Sequence, residues 1–366
     1  MTFIKEILTE LEKLAPLPYQ EDYDNAGLLV GAPDTEVTGI LFTLDITEDV
    51  VDEAVRKQCN LIVAHHPIIF KGLKKLNGKN YVERTVIKAI KNDIALYATH
   101  TNLDHVVGGV NWQIAKRLGL QNIKVLAPKK QLLNKLAFFC PVENTQEVLK
   151  ALFEAGAGEI GEYSNCSFRS EGLGTFLPGD NANPVIGAQG QLETVKEHRV
   201  EIMLPSHMQA QVLRALRRAH PYEEVAYYMS ALENENQEVG AGAIGELPEP
   251  METADFLACL KNNMAAAVIK HTEPTNARIS RVAVCGGAGS FLLRNAVSAG
   301  ADVYVTADYK YHEFFDAEGR IMICDIGHYE SEVFTKNLLH DYISGKFSNF
   351  ALCLSEISTN PVRYFS

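Results

Sequence analysis

The chain has 366 residues, 46% hydrophobic and 22% charged, with a net charge of −12. That length is long for one core and suits two domains, and the apolar fraction is ample for burial. The acid excess argues against a general nucleic-acid binder, because phosphate contacts need a basic surface.

Apolar residues at helical spacing (Ile4, Ile7, Leu8, Leu11, Leu14) predict a helix over 3–14, stopped by Pro16. This segment carries charges throughout and no cleavage site, so it reads as an amphipathic helix rather than a signal peptide. No stretch approaches the roughly 18 apolar residues of a membrane span. The seven cysteines are scattered and form no CxxC pair, as expected of a reduced, cytoplasmic protein.

DNAGLLVG at 24–31 reads as a turn feeding a short strand. Strands are predicted over 39–44, 61–64 and 94–98, with helices over 48–58 and 82–92 between them, the rhythm of a layered α/β domain. That rhythm returns near the C-terminus. Strands are expected over 281–285, 301–306 and 321–325, and helices over 291–299 and 330–344. The middle differs: strand 135–141, helix 145–155, a glycine- and asparagine-rich β stretch, strand 198–204, helix 206–219, strand 225–230. Two strand–helix–strand halves suggest a split βαβ, ferredoxin-like unit. Pro128 and the ELPEP run at 246–250 read as its hinges. The expected fold is therefore a discontinuous layered α/β host domain (1–130 and 248–366) with an inserted α+β domain at 131–247.

Four host strands end in residues able to hold a metal: His65 and His66; His100, Asp104 and His105; Asp308 and His312; Asp325, His328 and Glu332. Open α/β sheets bind ligands beyond the carboxyl ends of their strands, so these groups can converge. His328 and Glu332 stand four apart at the start of a predicted helix, on one face. His65 and His66 are adjacent and would point apart in an extended segment, so each imidazole could serve a different metal. Taken singly, each pattern has a bland alternative. An isolated histidine is usually hydrogen-bonded or solvated, and an HxxxE pair is usually a helix face in water. Six of the eleven histidines fall at or just past these strand ends, and pattern alone leaves both readings open.

In this order, DNAGLLVG, AHHP, THTNLD, GGAGS, TADYKYH and GHYESE resemble the Nif-three-like dinuclear metal-centre family, whose members are known as GTP cyclohydrolase 1 type 2 homologues. The resemblance covers about 1–130 and 250–366. It implies two divalent metal ions held by His65, His66, Asp104, His328 and Glu332, with His100 near them as a proton-transfer candidate. It also implies a toroidal homohexamer with its sites facing an inner cavity. The stretch 198–232, with HPYEE at 220–224, resembles PII-like and CutA-type ferredoxin folds, which commonly trimerise. Turn chemistry alone explains His220 in that motif.

Strand–GGAGS–helix at 285–290 can be a phosphate cradle or simply a tight turn. Lys310 and His312 can bind phosphate or shuttle protons, or they can form an exposed loop with a structural salt bridge. Three histidines with two carboxylates suit Zn, Mn, Fe, Co or Ni better than Ca or Mg. Two such metals about 3.5–4 Å apart activate water for hydrolysis. The family name implies opening of the purine ring of GTP or a related nucleotide. A nucleotide phosphoesterase would use the same metals. A non-catalytic regulatory or metal-handling ring, sensing a ligand through the insert, is the reading from another class; the small-molecule partner expected of the protein is a nucleotide or another anion.

Overall fold

The computed structural model describes residues 1–365. They divide into two compact units, one formed by Met1–Ala127 with Glu238–Ser366 and the other by Pro128–Gln237.

The first unit contains two sheets. One has five strands in the spatial order Gly27–Val30, Ala95–Ala98, Leu61–Ala64, Gly39–Thr43, Ala351–Leu354. All but Gly27–Val30 run parallel. Leu61–Ala64, Ala95–Ala98 and Gly39–Thr43 are buried at every position. They are short apolar runs because helices cover the sheet, leaving no solvated face to alternate with. Helices Glu48–Arg56 and Tyr81–Lys91 turn Val50, Val51, Ala54, Val86 and Ala89 into this core. Both begin at side-chain caps, Thr47 and Asn80, which accept from the backbone N–H of Val50 and Glu83.

The second sheet has six strands in the order Lys270–His271, Met322–Asp325, Val303–Ala307, Arg278–Ala288, Asn236–Glu252, Gln121–Lys129. Its central three strands are parallel. Tyr304, Ile321, Ile323, Ala283 and Ala296 form its core.

The ELPEP run at 246–250 is not a hinge. It lies inside the strand Asn236–Glu252, where pairing with Arg278–Ala288 lapses between Glu246 and Met251. That irregularity leaves room for Pro248 and Pro250, neither of which can donate to a ladder. The expected helix over 330–344 is two helices, His328–Glu332 and Thr335–Ser344.

The second unit places Leu133–Pro141, Phe168–Phe176, Glu193–Pro205 and Tyr227–Leu232 in one antiparallel sheet. Taken as its first to fourth strands, their spatial order is second, third, first, fourth. Helices Thr145–Glu154 and Gln209–Ala219 pack Val148, Leu152, Val212 and Leu216 against it. This is the order of a split βαβ unit. Among the described residues no helix is long and apolar enough to cross a membrane.

Candidate metal centre

Strand Leu61–Ala64 stops at a bend rather than running on through the histidines. The backbone N–H groups of His65 and His66 both donate to the Leu44 carbonyl, at 3.1 and 3.0 Å. The chain thus turns over the end of the neighbouring strand, and the two rings come within 4.9 Å of each other instead of pointing apart.

From the other sheet, the strand Met322–Asp325 leads into the short helix His328–Glu332. One turn of helix brings His328 Nε2 within 3.0 Å of Glu332 Oε2. Glu332, 3% exposed, then reaches both halves of the site. Its Oε2 is 2.8 Å from His66 Nε2, and its Oε1 is 3.8 Å from His65 Nε2. Asp104, closing the short helix Thr101–Asp104, stands 3.6 Å from His65 Nε2 through Oδ1. His66 Nε2 and His328 Nε2 are 3.3 Å apart. The donors fall into two groups that share one carboxylate: His65, Asp104 and Glu332 Oε1; His66, His328 and Glu332 Oε2.

Carboxylates behind the rings aim two of these histidines. Asp45 sits 2.7 Å from His66 Nδ1, and Asp308 sits 2.7 Å from His328 Nδ1. Each bond turns Nε2 inward toward the Glu332 carboxylate, the arrangement that orients metal-binding imidazoles. Asp308 adopts a left-handed backbone (φ 57°) directly after its strand, a conformation an aspartate tolerates better than most residues. Asp45 follows its strand in the same way as the other candidates. The strand-end pattern could have found it, but the sequence reading passed over it.

Electrostatics show what this cluster is suited to hold. Burial drives the His65 pKa down to about 4, so the ring is neutral at pH 7 and its lone pair is available. Burial opposes charge on His66, but bonds to Asp45 and Glu332 outweigh it and push the pKa up to about 9. His328, also resisted by burial, is carried up to about 11 by Glu332 and Asp308. Glu332 is held well below the usual carboxylate range despite burial, by His328 and the other two rings. Asp104 is pushed well above it by burial and by the charge of Glu332. Both nitrogens of His65 and Asp104 Oδ1 are buried without a hydrogen-bond partner. Orphaned donor atoms of this kind, in a site where buried carboxylates repel, fit cation binding. His65, His66 and Glu332 alone bring three ligand atoms within 4.8 Å of one another.

His100 lies beside the cluster, its ring 5.5 Å from that of His65 and 5.6 Å from that of His66. Asp24, from the DNAG turn, accepts from Thr101 and pairs with His100 Nδ1 at 2.6 Å. The remaining candidates have other duties. His105 bonds the Tyr19 carbonyl and Glu21. Asp325 pairs with Lys270 at 2.6 Å. His312 is exposed and stacks on Phe315, and Lys310 pairs with Glu313.

At the glycine turn 285–290 the structure favours the tight-turn reading over a phosphate cradle. The N–H groups of Gly286 and Gly287 are already taken by Asn111 and Ser331. A Cβ on Gly287 would lie 2.5 Å from Glu332 Oε1, in a backbone region (φ 61°) that side chains rarely adopt. The glycines let the strand pass close under the shared carboxylate.

A cleft of about 580 Å3 opens beside His66 and His328, with Asp45, Lys270, Asp308 and Tyr364 on its walls. It is of the size that holds small-molecule ligands.

A family model described as Duf34/NIF3 (NGG1p interacting factor 3) matches residues 2–361. A Bacillus subtilis protein named GTP cyclohydrolase 1 type 2 homolog is 38% identical over 365 residues, covering 98% of each chain. A Staphylococcus aureus relative of the same name is 35% identical over 365 residues, covering 99% of each. Among solved structures, a Bacillus cereus protein related to NIF3 is 39% identical, with a TM-score of 0.87 over 100% of this chain and 99% of that one. With a match along nearly its whole length, the chain belongs to the Duf34/NIF3 family.

Proposed function

We propose that this protein is a metal-dependent hydrolase of a nucleotide-like substrate, using two divalent cations held by His65, His66, Asp104, His328 and Glu332. The observation that carries the reading is the division of Glu332 between two histidine-containing donor groups. A pair of divalent cations supplies activated water and an electrophile for a substrate oxygen. The chain's own residues do the rest. Asp45 and Asp308 orient two imidazoles with Nε2 toward the site, and Asp24 orients His100 so that its Nε2 can carry a proton. The cleft beside His66 takes the substrate, with Lys270 on its wall. The names of the relatives support a GTP-like base as the reacting part, with ring opening and loss of formate as the reaction.

The strand order of the middle unit supports a ferredoxin-like module of PII or CutA type. We read it as the trimer contact of a toroidal homohexamer, which sedimentation velocity would detect. Seven free cysteines support a cytoplasmic location.

The deciding experiment loads the protein with Zn, Mn, Fe, Co or Ni and screens nucleotides, with His66→Ala as control. Formate release supports the cyclohydrolase reading. Phosphate release without formate moves it to a phosphoesterase. No turnover with any loaded metal overturns it.

A further inference from the structure

The middle unit carries a half-open cavity of about 400 Å3, lined only by residues of Pro128–Gln237. Phe139, Phe176 and Tyr222 supply aromatic wall, and Pro184, Val185 and Ile186 supply aliphatic wall. The Phe176 and Tyr222 rings meet near edge-on, their centroids 5.7 Å apart.

One charged side chain is buried in this apolar lining. Glu197 is only 6% exposed. Its Oε1 accepts from the Tyr222 hydroxyl at 2.9 Å. Burial and that carboxylate hold the phenol well above its usual pKa, so it remains a donor. Among the described residues no lysine or arginine pairs with Glu197. His220 cannot neutralise it, because its Nε2 donates to the Phe139 carbonyl and its Nδ1 accepts from the Tyr222 N–H. Gly174 faces the other oxygen, and a Cβ there would collide with Glu197 Oε2. Two further carboxylates, Glu223 and Glu224, line the cavity, and both residues are exposed.

A buried carboxylate whose one hydrogen-bond partner is a phenol and which has no cation beside it is costly in an apolar wall, and a cation relieves that cost. Three glutamates repel an anion. A hard metal ion takes about six or more oxygen ligands, and one buried carboxylate and a phenol, with two exposed glutamates at the wall, do not make such a cage. Aromatic faces attract an organic cation and also bury its carbon skeleton. We propose that this cavity binds a small organic cation, an ammonium group on an apolar body, with Glu197 taking the charge and the aromatic wall the body.

The test is calorimetric titration of the full chain at neutral pH with phenethylamine, and with phenethyl alcohol as its neutral counterpart. The amine should bind saturably, with affinity at least about tenfold above that of the alcohol. Glu197→Gln keeps the shape and should cost about tenfold in amine affinity while leaving the alcohol unchanged. Phe176→Leu keeps the carboxylate and should weaken the amine severalfold, which keeps the test decisive if Glu197→Gln does not fold. Equal binding of the two probes, undiminished amine affinity in Glu197→Gln or Phe176→Leu, or no saturation of the parent protein by about 10 mM would each overturn the proposal.

Discussion

Glu332 turns one oxygen toward His65 and the other toward His66 and His328, so its loss should weaken both cation positions together. The parent protein should carry close to two equivalents of metal per chain by elemental analysis. Glu332→Gln should retain far less, while His312→Gln, which alters an exposed residue outside the cluster, should match the parent. Asp24 gives a pH prediction. Burial works against its charge, but bonds from His100 and Thr101 and the His100 charge prevail, and its pKa falls to about 2. A depressed carboxylate pKa stabilises the fold fully above its ordinary value of 3.8, and that contribution drains away as pH falls toward 2. Asp24→Asn should lower stability at neutral pH and flatten the stability curve across that acid window. Urea titrations at successive pH values read this directly, and an unchanged slope there would count against the pairing.

At the scale of elements, the strand Arg278–Ala288 and the helix His328–Glu332 approach so closely that only glycine fits between them at position 287. Gly287→Ala should cost about 1–3 kcal/mol through backbone strain, and should displace Glu332 and reduce metal content. Gly72→Ala is the matched control, since its Cβ meets nothing within 4 Å, and it should stay within about 0.5 kcal/mol of the parent. This closeness was invisible in GGAGS as a string, which matches a phosphate loop and a tight turn equally well. Strands 61–64 and 321–325 were legible because short apolar runs bounded by polar residues have few other uses in a covered sheet. The strand Asn236–Glu252 was not, because its glycines and prolines imitate a linker and its pairing depends on neighbours distant in sequence.

Over the whole molecule, the five proposed metal ligands all belong to the unit formed by Met1–Ala127 and Glu238–Ser366. The strands that lead out of and back into that unit, Gln121–Lys129 and Asn236–Glu252, are neighbours in one sheet. Replacing residues 128–237 with a short flexible linker should therefore preserve metal binding. Metal loss from a folded deletion protein would refute the independence of the site.

By itself, the sequence determined the α/β rhythm, the interruption by a second strand–helix pattern, and the strand ends at which ligands cluster. These are local properties, written in hydrophobic period and in the polar residues that close each run. The ordered motifs then singled out five residues among the candidates, and the tertiary structure brings those five together while leaving His105, His312 and Asp325 to other partners. Only that structure decided that His65 and His66 converge rather than diverge, because the bend rests on the carbonyl of Leu44 in a neighbouring segment. Only it revealed Asp45 behind His66 and the buried charge of Glu197. Both depend on which groups meet, and on which find no partner, once strands far apart in sequence lie side by side.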